Sequence, residues 1–155
     1  MTPYVWFIVA AAVVAGSAFP MISLWRIRQK RQLEAARRLF HQRREWLEAK
    51  FLELASSTGK PRGLRWKDCD FSNEVTFARD LHSRALTAFV GVTISFEAIE
   101  GGDMEDVEAV GNLRAATSVF RHAGGQWSTQ GRVLMNLEPA EAIERFQDAL
   151  ELIAD

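Results

Sequence analysis

The sequence predicts an α+β fold: an N-terminal transmembrane helix continuing into a basic amphipathic helix, then an antiparallel sheet of four or five strands with a C-terminal helix packed on it. Three observations predict it. Residues 26–56 contain no Gly or Pro and repeat apolar side chains at helical spacing. Residues 64–137 switch to a period of two, punctuated by glycines. Asn136-Leu137-Glu138-Pro139 then opens a second helix, with Pro139 suited to its first turn and Glu141 to the positive end of its dipole.

The first element is an uncharged run. No charged side chain falls between Tyr4 and Trp25, which are joined by Val, Ile, Ala, Phe and Leu. A helix of that length reaches roughly 33 Å, against a hydrocarbon core of about 30 Å. Tyr4, Trp6 and Trp25 stand near its two ends, where aromatic side chains settle at the headgroups. Arg26, Arg28, Lys30 and Arg31 stop the run. A cleaved signal would open on a basic segment, and none precedes this one; Ala15-Gly16-Ser17-Ala18 resembles a cleavage site, yet the chain stays apolar beyond it. Residues 1–25 therefore read as an uncleaved single-pass signal-anchor. With Lys and Arg on its C-terminal flank alone, the positive-inside rule leaves the N-terminus outside and the rest of the chain in the cytoplasm. Small residues four apart, Ala12 with Gly16 and Ala11 with Ala15, permit close helix approach, and Pro20 invites a kink.

The second element, residues 26–58, is basic and amphipathic. Leu33, Ala36, Phe40, Leu47, Phe51 and Leu54 fall within an arc of about 60°, one apolar stripe. Leu33, Phe40, Leu47 and Phe51 are thus a candidate interaction stripe. Arg43 occupies a seam position, which argues against a regular coiled coil, and the second use for the stripe is that its C-terminal half covers the soluble domain's own sheet.

Ser56 to Gly63 breaks the helix, making residues 59–63 a linker and residues 64–155 a separate α+β domain. Strands are predicted from Leu64 to Phe71, around Val75 to Ala78, from Ala85 to Glu100 with a bend at Gly91, near Asn112 to Ala123 and near Gln126 to Leu137. Gly124-Gly125 is the hairpin turn between the last two. Along the third strand Leu86, Ala88, Val90, Val92, Ile94, Phe96 and Ala98 share one face, with Thr87, Thr93, Ser95 and Glu97 opposite. The closing helix carries Ile143, Phe146, Leu150 and Ile153 on its apolar face. The element order, helix then curved meander, is similar to that of cystatin-like and nuclear-transport-factor-like folds.

The net charge of −1 hides two opposite surfaces. Residues 26–50 hold nine basic and three acidic side chains, and residues 63–155 hold eight basic and sixteen acidic. The first favours anionic headgroups by about 1 kcal/mol per residue near the surface. The second excludes a nucleic-acid module, whose folded domain is ordinarily basic. The single cysteine, Cys69, has no intramolecular disulfide partner and reads as a small core residue.

No residue pattern specifies a reaction: HExxH, CxxC, GxSxG, a phosphate-binding loop and GxGxxG after a strand are all missing. We expect no catalytic residue, no cofactor and no metal. Glu97, Glu100, Asp103, Glu105, Asp106 and Glu108 supply oxygen ligands at spacings foreign to an EF-hand, so Asp103, Glu105, Asp106 and Glu108 read as an acidic docking loop. Asp68 and Asp70 share a strand face that Cys69 avoids, which weakens a nucleophilic cluster with His82 or His122. Trp66, Phe77, Phe96, Phe120 and Trp127 are core residues or the wall of a pocket in the bent sheet, with Asp68, Arg114 or His122 as its polar groups.

The stretches Pro61-Arg62-Gly63-Leu64-Arg65-Trp66-Lys67-Asp68-Cys69-Asp70-Phe71 and Met104-Glu105-Asp106-Val107-Glu108-Ala109-Val110-Gly111-Asn112-Leu113-Arg114-Ala115-Ala116-Thr117 resemble uncharacterised small single-pass membrane proteins of planctomycete-type bacteria. The resemblance spans most of residues 61–150 and implies a bacterial inner-membrane setting without an activity. The expected function is that of a membrane-anchored accessory or scaffold protein, touching membrane lipids and engaging a protein partner or a second copy of itself. A tethered small-molecule-binding domain and a sensor of anionic lipid are the alternatives.

Overall fold

The computed structural model describes residues 4–58 and 62–153, with side chains from residue 23 onward. Its elements are α1 (Tyr4–Thr58), β1 (Leu64–Asp80), β2 (Leu86–Ala98), a 3-10 turn (Glu108–Gly111), β3 (Arg114–Ala123), β4 (Gln126–Met135), α2 (Pro139–Arg145) and β5 (Leu150–Leu152). The chain divides into two units, Met1–His41 and Gln42–Asp155. Among the described residues no helix is long and apolar enough to cross a membrane. The anchor expected over residues 1–25 falls almost wholly on side chains outside the described residues, as does most of the linker expected at 59–63. Within the first unit Ala36 and Phe40 are buried, Leu33 is half-buried, and Leu24, Trp25 and Ile27 are exposed.

The second unit is α+β, built on a curled antiparallel sheet of five strands in the order β4-β3-β2-β1-β5. Four of them form a meander, because each connection is short enough to return the chain beside the strand it left. Gly124 and Gly125 join β3 to β4 at φ 58° and 78°, the left-handed pair that a two-residue hairpin requires and that glycine adopts without steric cost. The β1–β2 turn ends on Arg84, also at positive φ.

Residues 64–80 make one strand where the sequence suggests two. Two bulges explain the difference. Trp66 pairs with Phe96 and Asp68 with Ser95, leaving Lys67 over; farther on, Phe71 pairs with Val92 and Val75 with Val90, so Ser72, Asn73 and Glu74 stand opposite Gly91. At Lys67 the inward positions change from even to odd numbers, from Leu64 and Trp66 to Cys69 and Phe71. A period-two reading breaks there although the strand does not.

The two helices cover opposite faces of the sheet. From Gln42 onward α1 lies on the face of the even-numbered β2 residues: Leu47, Phe51 and Ala55 are fully buried, and the Phe51 ring meets Phe71 at 5.7 Å and Phe120 at 5.9 Å. Side chains of this size each contribute about 1.5–3 kcal/mol when removed from water. The other face carries Ala78 and Phe89, packed with Ala142 and Ile143 of α2. As a result β2 is buried on both sides from Leu86 to Val90, not half-buried as its alternation implies. Gly91 follows this stretch and is half-buried; a Cβ there would stand 3.5 Å from Ser72 and 3.9 Å from Pro139.

Two contacts seat α1 on the sheet. At Gly131 (φ 69°) β4 bulges, placing Gln130, Gly131 and Arg132 opposite Val119, and its backbone comes against α1 at Leu54 and Ala55. At the β1 bulge the Arg44 guanidinium donates to the carbonyls of Ser72 and Asn73, the latter at 2.8 Å, while its Nε donates to Glu48 at 2.6 Å. The carbonyls that the bulge takes out of the ladder thus gain a charged donor.

The last helix is shorter than its apolar pattern suggests. Helix α2 starts as expected, with Pro139 in its first turn and a reciprocal cap in which Glu138 accepts from the backbone of Glu141 and the Glu141 carboxylate accepts from the Glu138 N–H at 3.1 Å. It ends at Arg145. Phe146 then turns the chain, and Leu150–Leu152 pair with Ala78–Asp80 as β5. The edge of β1 offers Leu150 ladder bonds and a place beside the Ala78–Phe89 cluster, both of which a continued helix would lose.

Candidate functional site

The β1–β2 turn is organised by Asp80. Its carboxylate accepts the N–H groups of Ser83 at 2.7 Å and His82 at 3.0 Å, while its own carbonyl accepts from Arg84. Hydrogen bonds from Ser83 above all hold the Asp80 carboxyl below its ordinary range, and the nearby Arg121 guanidinium acts in the same direction. Arg121, on β3 beside Thr87, donates to the Ser83 hydroxyl at 2.9 Å.

Asp80, Thr87, Arg121 and Arg132 form the polar margin of a cleft of about 200 Å³ on the α2 face of the sheet. Its apolar floor is Phe89, Val119 and Leu134. The turn after α2 supplies the remaining wall through Phe146, Ala149 and Leu150. The β4 bulge delivers Arg132 to this rim, where it is exposed and has no hydrogen bond or ion pair among the described residues. Two arginines and one acidic residue line the cleft, within a domain whose acidic residues outnumber its basic ones two to one. The lining contains no His, Cys, Ser or Lys, and Asp80 is its one acidic group.

The residues expected to line a pocket on the other face are instead packed together. Trp66 meets Phe96 at 5.5 Å, Phe77 meets Trp127 at 6.0 Å, and Phe120 is closed over by Phe51. From Gln42 onward α1 covers this face of the sheet. None of Asp68, Arg114 and His122 lines the cleft. Asp68 and Asp70 point to solvent while Cys69 packs into the cluster of Val92, Ile94 and Phe96. Burial first, then the charges of Asp68, Glu48 and Asp70, push the Cys69 thiol up to about 12. His122 lies beside Trp127 at 5.1 Å, and burial lowers its pKa despite a bond to the Gly125 backbone.

Of the candidate stripe, Leu47 and Phe51 are used inside the second unit, Phe40 is fully buried, and Leu33 is half-buried. Asp103, Glu105, Asp106 and Glu108 are exposed in the β2–β3 connection, where Glu105 also accepts the Gly101 N–H at 2.8 Å. Ile99, Val107 and Leu113 are exposed in the same connection. Among the described residues no three His, Cys, Asp or Glu side chains converge to hold a metal. Trp25, Arg26, Arg28, Lys30 and Arg31 are exposed on α1, and the side chains of Tyr4 and Trp6 lie outside the described residues.

Sequence reasoning missed Asp80, Arg121 and Arg132, which come from three strands. The one local signal is that Arg121 follows Thr117 and Val119 on one face of β3, an arginine next to positions that are buried and half-buried. No protein-family model, no curated protein and no solved structure matches the chain.

Proposed function

We propose that this chain is a membrane-anchored accessory protein which holds an acidic α+β domain at the cytoplasmic face of a bacterial inner membrane, where it engages a protein partner. One observation carries the reading. Three differently built lengths share the unbroken helix α1: an uncharged segment to Trp25, a strongly basic segment from Arg26, and a segment whose Leu47, Phe51 and Ala55 belong to the domain's core. An uncharged, aromatic-flanked run followed at once by a basic one is the composition of an anchor and its cytoplasmic flank. Exposed Arg26, Arg28, Lys30 and Arg31 suit anionic headgroups and the inward topology.

The surface offered to a partner is the β2–β3 connection, where exposed apolar Ile99, Val107 and Leu113 are interspersed with Asp103, Glu105, Asp106 and Glu108. Apolar contact with a charged surround is the composition of a specific interface. The helix-then-meander order, similar to that of cystatin-like and nuclear-transport-factor-like folds, gives no reaction of its own and is compatible with such a role.

Alkaline carbonate washing of cell membranes tests the anchor. The full chain stays in the pellet, whereas I8R/V13R moves to the supernatant; release of the unaltered chain overturns the anchor. Native size separation in mild detergent with mass spectrometry tests the partner. A protein that travels with the chain in fixed ratio, and is lost with D103N/E105Q/D106N/E108Q, supports the reading; migration alone refutes a stable partner.

A further inference from the structure

We propose that the cleft rimmed by Arg121 and Arg132 is a binding site for a small amphipathic anion, a short-chain carboxylate whose charged end lies between the two guanidinium groups and whose hydrocarbon lies on Phe89, Val119 and Leu134. The argument starts from size. A cleft of about 200 Å³ is below the range of roughly 300–1,000 Å³ that drug-sized ligands occupy. A cleft of this size suits a small molecule, such as a carboxylate with a short tail.

Charge sets the head. Arg121 is held at the rim by its bond to the Ser83 hydroxyl and by the Asp80 turn, so its planar donor set is oriented before anything binds. Arg132 is brought there by a bulge, without a partner among the described residues. Asp80 neutralises one guanidinium at most, which leaves the rim positive in an otherwise acidic domain. Arginine in pairs recognises carboxylate through parallel N–H donors, better than any other side chain. The floor sets the tail: Phe89 is buried, while Val119 and Leu134 remain partly open to the cleft with Phe146 at its mouth.

Equilibrium dialysis of radiolabelled hexanoate against the full chain in phosphatidylcholine nanodiscs, with empty nanodiscs as reference, tests the site. At about 1 mM ligand, an affinity suited to this size, the loaded discs retain hexanoate in excess of empty ones. Unlabelled hexanoate displaces it; hexanol, hexylammonium and inorganic phosphate do not. R121Q and R132Q each weaken retention about tenfold, as loss of a charge-assisted bond requires. R145Q, which changes an exposed arginine outside the cleft, leaves it unaltered. Far-UV circular dichroism establishes that R132Q stays folded. No excess retention, equal displacement by hexanol or by phosphate, or wild-type retention in a folded R132Q overturns the proposal.

Discussion

A Cβ placed on Gly131 would stand 2.6 Å from the backbone nitrogen of Ala55, so β4 and α1 meet backbone to backbone. Gly131 has φ 69°, which side-chain-bearing residues resist by about 1–2 kcal/mol. The contact adds an overpacking cost of about 1–3 kcal/mol, since the atoms it strikes are main chain and cannot swing away. We expect G131A to lower unfolding stability by about 2–5 kcal/mol in a urea titration of the detergent-solubilised chain. G124A, at a hairpin position with open space around it, isolates the φ cost alone.

Arg44 closes the β1 bulge from the opposite element. Removing it leaves the Ser72 and Asn73 carbonyls and the Glu48 carboxylate without their charged donor. R44A should cost about 1.5–3 kcal/mol. R44K should recover less than half of that, because an ammonium cannot reach three acceptors in the guanidinium's planar arrangement. Equal stabilities for R44K and the unaltered chain would show that charge alone matters there.

Cys69 should be inert. With its thiol pushed up from 9.0 to about 12, the thiolate is roughly a thousandfold scarcer than in an ordinary cysteine at the same pH. Alkylation by iodoacetamide at pH 8 should therefore run at least about a hundredfold slower in the folded chain than in urea. A folded-state rate matching the unfolded one would mean that Cys69 is neither desolvated nor surrounded by carboxylates.

His122 gives the fold a pH dependence of definite sign. Burial lowers its folded pKa beneath the unfolded value of about 6.5, so below that pH the unfolded chain takes up a proton that folded His122 resists. Stability is full above about pH 6.5 and declines as pH falls from there to the depressed folded value. H122Q should flatten this decline. The lowered Asp80 acts separately: its contribution is present above about pH 3.8 and is lost as pH falls farther. A decline unchanged in H122Q would assign it to another group.

The readable part of this fold was that whose pattern is local. The even face of β2, the glycine hairpin and the capped start of α2 each lie within a few consecutive residues, and each is found where the pattern puts it. What sequence periodicity does not carry is the response of one element to another. The bulge at Lys67 exchanges the buried parity of β1 because two of its residues stand opposite one of β2, and Phe146 leaves the helix because β1 has an edge to fill. Residues of the cleft were illegible for the same reason: Asp80 lies 41 positions before Arg121 and 52 before Arg132, and register assembles the three. For the stripe on α1, the sequence offers two uses, and Leu47 and Phe51 of its C-terminal half are buried against the sheet.

Strand β5 pairs with only three residues of a seventeen-residue β1. From Leu64 to Thr76, no strand lies along the outer side of β1 among the described residues. A straight row of free donors and acceptors that long would recruit another molecule's strand and grow into a fibre. Here the two bulges interrupt the row, and Arg65, Lys67, Asp68, Asp70 and Glu74 place charges of both signs along it. The irregularities that hide β1 from a period-two reading are thus also what keeps neighbouring molecules from adding to its sheet, a safeguard of most value where copies are crowded together on one surface.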